Sequence, residues 1–290
     1  MNEGKNGKGA FTMSAKKPSP YIFACLCTLA LILIFPPGTQ ATNYPEIHCK
    51  HFIYGYPTGT PFSNDLIIRD IYALSSNDET KFADWVAYRL DKETLTGDVE
   101  TSRKWRSDPW LNENETLEPS DYKGAHAALK VDRGHQAPLA SFKGTSCWHE
   151  TNYLSNITPQ KSDLNQGPWR ILENKVRNLV KAGKVVYVLT GPLYGREMAP
   201  LPGADEPHKV PSGYWKIIIV QPDKSYDSIK TTSFIFDQET PRKGVVIDHL
   251  CTINEIETKT GLDFLRDLPD AIEEKIEGSI DRNWSDAHFK

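Results

Sequence analysis

One stretch of this chain limits its fold more than any other: a one-sided helical pattern that runs directly into buried strands. In residues 164–182, Leu172, Val176, Leu179 and Val180 fall at i, i+4, i+7 and i+8, a single face of a 3.6-residue helix. Pro168 suits the first turn and Gly183 ends the pattern. Residues 185–190 (VVYVLT) read as a buried strand that Gly191-Pro192 should stop. Residues 214–220 (YWKIIIV) and 233–236 are further strands, and 80–90 mix aromatic and β-branched residues near period two. Pro109, Asn112, Asn114, Pro119 and Ser120 make 108–121 a loop. Ile272, Ile276 and Ile280 predict a helix over 270–280. A helix with one apolar face must bury it against another layer, and helices and strands alternate irregularly here, so the class is α+β. No repeat or linker divides residues 42–290, which read as one domain.

Residues 1–41 have a different composition. Lys5, Lys8, Lys16 and Lys17 make a basic start, residues 21–35 are 15 uncharged and mostly apolar residues, and Thr39-Gln40-Ala41 end small. That is the layout of a secretory signal peptide, cleaved near Ala41, and the apolar run is short of the roughly 20 residues that span a bilayer. The protein is therefore expected to be secreted or periplasmic, with no stable membrane partner after cleavage. An uncleaved anchor is the rival reading. A lipoprotein signal through Cys25 fits poorly, because that cysteine opens the apolar run instead of closing it.

Residues 1–41 hold four Lys and one Glu, so the remaining chain has 30 basic and 37 acidic side chains, a net charge of −7. That excludes a protein holding nucleic acid by bulk positive charge. An anionic ligand would have to be met by a local basic site. Cys49, Cys147 and Cys251 remain, an odd number, so export predicts one disulfide and one free thiol. Their spacing excludes a CxxC zinc site, and His48-Cys49-Lys50-His51 has no matching second cluster.

The densest polar cluster is Asp132-Arg133-Gly134-His135, followed by Asn152, Asn156, Gln160, Asn165 and Glu173. His135 is expected in a turn that presents its ring. A histidine near pKa 6.5 is largely neutral at pH 7–8 and can take a proton from water. On a continuous helix, Asn165 and Glu173 would be about 12 Å apart along the axis and roughly 80° apart around it. They could not both ligate one ion tightly. Mg²⁺ keeps several waters and takes one or two protein oxygens. Asn165 as direct ligand, with Glu173 holding a metal-bound water, is the favoured division. The bland alternative is an Asn near a helix cap and a Glu in a solvated pair with Arg177.

Three segments carry a resemblance: VDRGHQAPLA (131–140), NYLSNITPQ (152–160) and LNQGPW (164–169) with Leu172-Glu173. With Arg103-Lys104-Trp105, LTGPLY (189–194), PSGYWK (211–216), INEIE (253–257) and TGLDF (260–264), they occur in order across the mature chain. The set resembles the DNA/RNA non-specific endonucleases, the Serratia-type nucleases and endonuclease G, which share a ββα-metal site. That resemblance implies a central antiparallel sheet flanked by helices. It implies His135 as general base, Asn165 as sole protein ligand of Mg²⁺ (with Mn²⁺ as substitute), and Glu173 ordering metal-bound water. Arg133 and Arg103 would contact the substrate phosphate, and Asn156 would support the site. Asp132 is assigned to structure, through a turn hydrogen bond. Lys104, Arg106 and Lys130 are candidate backbone contacts. The cysteines show no paired framework like that of the close bacterial relatives, which touches none of these roles.

The implied activity is a secreted, Mg²⁺-dependent endonuclease acting on DNA and RNA, single or double stranded, and leaving 5′-phosphates. Contacts to phosphate and sugar discriminate little between bases. A homodimer is compatible with this. The rivals are a non-catalytic exported nucleic-acid-binding protein, which would be expected to have lost a catalytic position, and a same-fold phosphodiesterase on a small substrate.

Overall fold

The computed structural model describes residues 44–97 and 103–290; the expected export segment lies outside the described residues. Strand β7 (Gly213–Val220) is buried along its whole length. Its side chains alternate between two apolar clusters: Tyr214, Ile218 and Val220 belong to one, and Trp215, Ile217 and Ile219 to the other. A strand apolar on both faces must be covered on both faces. Accordingly β7 lies within a seven-stranded sheet. The order is β1 (Asp65–Ile68), β2 (Ala73–Ser76), β3 (Ala83–Leu90), β6 (Val186–Leu193), β7, β8 (Lys230–Asp237) and β9 (Leu250–Cys251), and every pairing is antiparallel. A separate two-stranded sheet pairs β4 (Val131–His135) with β5 (Ile157–Lys161).

Helices cover both faces of the large sheet. On one side are α1 (Lys92–Leu95), α4 (Arg170–Lys181) and α7 (Arg282–Phe289), through Leu95, Leu172, Val176, Leu179, Val180 and Phe289. On the other are α5 (Ile253–Thr260) and α6 (Asp270–Glu277), through Ile253, Ile256, Ile272 and Ile276. The ends of α5 follow from its sequence. Thr252 and Glu255 form a capping box, and Gly261 closes the helix in the left-handed conformation. A third cluster joins α2 (Ala125–Leu129) to the small sheet and includes Phe82, Tyr122, Val131, Leu154 and Ile157. Among the described residues no helix is long and apolar enough to cross a membrane.

Four local expectations change. Strand β6 does not stop at Gly191-Pro192 but runs on to Leu193, with Pro192 opposite Tyr214. Its pairing with β3 ends at Val86–Thr190, so beyond that point β6 has no β3 partner and the missing proline N–H is not needed there. The Asp132–His135 segment is a strand, not a turn. The predicted helix over 164–182 is broken: α3 (Ser162–Leu164) leads into an irregular turn, and the regular helix begins at Arg170. Finally, Cys49, Cys147 and Cys251 are all free thiols, so the expected disulfide is not formed. Cys147 packs against the α4-side cluster, whereas Cys49 and Cys251 lie with the cluster on the opposite face of the sheet.

Candidate active site

Strands β4 and β5 present the polar cluster. Their register sets Asp132 opposite Gln160, Arg133 opposite Pro159 and His135 opposite Ile157. Gly134 sits where a Cβ would come within 2.7 Å of the Gln160 side chain, so only glycine fits between Arg133 and His135 without displacing it. The chain then passes through α3 to residues 165–169. Gly167 there has φ −102° and ψ −116°, and a Cβ on it would meet the Arg242 carbonyl oxygen at 2.5 Å. Arg242 also donates to Gln166 Oε1 (2.8 Å) and Asp163 Oδ1 (3.3 Å). That contact from a distant loop accompanies the break in the helix, so Asn165 and Glu173 approach one cavity from either side of the break.

The cavity holds about 900 Å³ and is lined by Arg103, Arg133, His135, Asn165 and Glu173. Five Arg and one Lys line it against two carboxylates, Asp132 and Glu173, so the local charge is positive although the chain is acidic. Lys104, Arg106 and Lys130 do not line it. The Lys130 ammonium turns back to the Ala127 carbonyl, and the Arg106 backbone pairs with Asn152 and Leu154.

His135 Nε2 donates to Asn152 Oδ1 at 3.2 Å, which leaves Nδ1 with the free lone pair. The ring stands 5.3 Å from that of Trp105. Burial pushes the imidazole down to about 4, against the Asn152 hydrogen bond, so it is neutral at physiological pH. Asn156 does not face the cavity. It is fully buried and clamps the chain after His135, accepting from Ala137 N–H (2.8 Å) and donating to the Ala137 and Thr151 carbonyls (3.0 and 2.9 Å). Its place is structural support, not contact with a reacting group.

Asp132 makes no turn hydrogen bond. It accepts from Asn165 Nδ2 (2.9 Å), Gln166 Nε2 (2.8 Å) and Ser162 Oγ (2.7 Å). Burial alone would raise its carboxyl, but these donors hold it below the usual carboxylate range. It therefore fixes the Asn165 amide with its nitrogen inward, and Asn165 Oδ1 accepts no hydrogen bond among the described residues.

Among the described residues Arg133 has no carboxylate partner. Its guanidinium lies over the rings of Tyr122 (4.9 Å) and Trp105 (5.6 Å), donates to the Pro119 carbonyl at 2.8 Å, and leaves its Nε buried without an acceptor. Burial lowers its pKa, but an arginine stays charged. Such a cation is preset for an incoming anion. Glu173 lies 4.0 Å from Arg177. Burial raises its carboxyl, while Lys216 and Arg177 oppose the shift. Arg177, read from sequence as one half of a solvated pair, is instead largely buried and bonded to Ser141 Oγ. Asn152 and Asp132 were visible in the sequence as polar neighbours, but only the folded register shows what each one holds.

The donors facing the cavity, an amide oxygen on Asn165 and a carboxylate on Glu173, are hard oxygens and few. That suits a small divalent cation that keeps most of its waters, and not a soft-metal site. Two clusters of three acidic residues, Asp65, Asp78 and Glu115 and then Asp121, Asp205 and Glu206, lie outside this lining.

A two-stranded sheet and the helix after it thus bring a histidine, an amide oxygen and several arginines to one open cavity, within a fold of the ββα-metal class. Residues 50–271 match the model of the DNA/RNA non-specific endonucleases, and the chain belongs to that family. It is 48% identical to a nuclease of Serratia marcescens over 84% of this chain and 90% of that one. It is 32% identical to a nuclease of Nostoc sp., covering 85% and 90%. It is 29% identical to bovine mitochondrial endonuclease G, covering 80% and 77%. Among solved structures, one of the EndoG/EndoGI complex superposes with a TM-score of 0.62 at 24% identity, over 76% of this chain and 91% of that one.

Proposed function

We propose that this nuclease is a secreted, Mg²⁺-dependent endonuclease that cuts DNA and RNA with little sequence preference and leaves 5′-phosphates. The observation that carries this reading is the convergence of Arg103, Arg133, His135, Asn165 and Glu173 on one positively charged, open cavity. Arg133 and Arg103 bind the scissile phosphate and balance the charge that builds on it. His135 Nδ1 takes the proton of the attacking water, and Asn152 keeps the ring in the required tautomer. Asn165 Oδ1 would hold the cation, with Glu173 orienting water at the same end of the cavity. Bound there, Mg²⁺ would supply Lewis-acid stabilisation of the phosphate and leaving oxygen. Contacts to phosphate read no base, which explains tolerance of both nucleic acids. Export rests on the basic start and 15-residue apolar run of residues 1–41.

The test is digestion of plasmid and RNA with and without chelator. His135→Ala and Asn165→Ala should each remain folded and lose activity by roughly 10²–10⁴-fold. The acid limb of kcat/KM should lie below the ordinary histidine value, because His135 must be neutral and burial pulls it down to about 4. Full turnover by either variant, or by wild type in excess chelator, would sink the proposal. Cleavage of small phosphodiesters but not of plasmid would favour the small-substrate rival.

A further inference from the structure

Away from the cavity, three carboxylates meet at the edge of the large sheet. Asp65 opens the edge strand β1, Asp78 follows the end of β2, and Glu115 ends the short turn 113–115. One oxygen from each lies within 4.8 Å of the other two. Among the described residues no Lys or Arg pairs with any of the three; Lys81 bonds the carbonyl of Asn114, next to Glu115, instead. The Glu115 carboxylate accepts from the Asn112 N–H (2.8 Å) and Nδ2 (2.7 Å), one on each oxygen, and each oxygen keeps a lone pair. Carboxylates crowded on a surface repel one another and are common without an ion, so the cluster by itself decides nothing.

A buried hydroxyl points to the same spot. Register sets Ser76 directly opposite Asp65, so the two side chains leave the sheet on one face. It is the face that α4 covers, because their neighbours Ile67, Leu74 and Ala83 belong to that cluster. Leu111 packs on the same cluster and brings the loop that carries Glu115 over it. Ser76 is 1% exposed, and its Oγ has no hydrogen-bond partner among the described residues. Asp78, two residues further on, likewise has one oxygen, Oδ1, sealed from water with no partner. Ser75, on the other face, is bonded by Asn64 at 3.0 Å. A buried hydroxyl or carboxylate oxygen without a partner is costly. Both have lone pairs to give where three carboxylates converge, and a hard cation there satisfies all four side chains at once.

We propose that Asp65, Ser76, Asp78 and Glu115 form a second cation site, for Ca²⁺, which ties the edge of the sheet to the loop that carries Glu115. All four donors are hard oxygens, which excludes a soft metal. Ca²⁺ takes about 6–8 oxygens at about 2.3–2.6 Å in flexible geometry, so two oxygens on one ion stand up to roughly 5 Å apart, and waters complete the shell. Mg²⁺, smaller and strictly octahedral, seldom uses more than one or two carboxylates. The site shares no residue with the catalytic cavity, so it stands or falls apart from the nuclease reading.

The experiment uses chelator-stripped full-length protein with Ca²⁺ alone as the probe, and compares wild type with Ser76→Ala, Asp78→Asn and the Asp65→Asn/Asp78→Asn double variant. Calorimetric titration of wild type should show a Ca²⁺ site with Kd on the order of 10⁻⁴–10⁻³ M. At ten times that Kd the folded state should be favoured about tenfold, raising the melting temperature by about 3–6 °C over NaCl of equal ionic strength. Ser76→Ala and Asp78→Asn should each weaken binding by about tenfold or more, and the double variant should lose both readouts. Without Ca²⁺ the carboxamide variants should melt no lower than wild type, because they remove like charges, so a lost Ca²⁺ response is not a folding defect. Plasmid cleavage needs none of these residues, so an inactive wild type would sink the proposed function and leave the Ca²⁺ readouts intact. An equal gain from NaCl, or a Ca²⁺ response that survives in the double variant, overturns the inference and leaves the cluster a patch of surface acids.

Discussion

On the face of the sheet that carries α5 and α6, β7 presents Trp215, Ile217 and Ile219, which pack with Ile253, Ile256 and Phe264. On the face that carries α4, the same strand presents Tyr214, Lys216, Ile218 and Val220, and the cover includes Glu173 and Arg177. The first arrangement maximises apolar burial; the second gives up some of it to set charges beneath a cavity. Polar groups also hold the cavity wall from below: Asn156 clamps backbone and Asp132 clamps Asn165. Substitutions on the two faces should therefore differ in kind. On the α4 face, loss of function should exceed loss of stability, and on the α5–α6 face the reverse.

The largest effect that sharpens this contrast should come from Asp132→Ala. Alanine accepts from none of Asn165 Nδ2, Gln166 Nε2 and Ser162 Oγ, so the Asn165 amide loses its fixed orientation. Groups that orient a metal ligand typically contribute about 10–100-fold in affinity or activity. Activity should fall by that factor, and raising Mg²⁺ should restore part of it while the melting temperature moves little. A lowered melting temperature with unchanged Mg²⁺ dependence would make Asp132 a folding residue alone.

Ile256→Ala probes the opposite face. Ile256 is fully buried in the α5–α6 cluster, and removing it leaves a cavity that should cost about 2–5 kcal/mol. For a chain of this size that lowers the melting temperature by several degrees, on the order of 2–4 °C per kcal/mol. The kcat per folded molecule should not change. A proportional fall in kcat well below the melting range would show that the two faces are coupled through the sheet.

How much of this could be read beforehand depended on where each cause lay. Periodicity found α4 and the central strands because their burial is set by their own alternation. Asp132–His135 gave no period-two signal, since a strand with half-buried polar residues and a glycine owes its form to pairing with Ile157–Lys161. The break at Gly167 accompanies the Arg242 backbone, 75 residues away in sequence, so a helix spacing rule applied to 164–182 had no access to it. The site residues were named by resemblance, and geometry then separated them. Arg103, Arg133, His135, Asn165 and Glu173 line the cavity, whereas Asn156 sits behind it. Lys216 looked like one polar residue in a strand, and only the sheet shows which face it takes.

The smallest expected effect tests a buried carboxyl on the α5–α6 face. Glu277, at the end of α6, is buried, and its Oε1 has no hydrogen-bond partner among the described residues. Burial pushes its carboxyl up to about 9, helped by Glu257 from α5, by Asp263 and by Glu273 and Glu274 on its own helix. The folded state thus keeps the proton that the unfolded chain gives up near its ordinary value of 4.5. Folding takes up a proton through this group, so its contribution is best below pH 4.5 and is lost progressively as pH rises towards 9. Glu277→Gln reproduces the neutral form at every pH. It should be nearly silent at pH 4–5 and stabilise the protein by roughly 1–3 kcal/mol at pH 8, within the range for an uncompensated buried polar group. Denaturant unfolding at the two pH values reads the difference. A gain at acid pH equal to that at alkaline pH would mean that the glutamate was merely a poor shape for its site. Activity per folded molecule should be unchanged at both, because the acidic cluster lies across the sheet from the cavity.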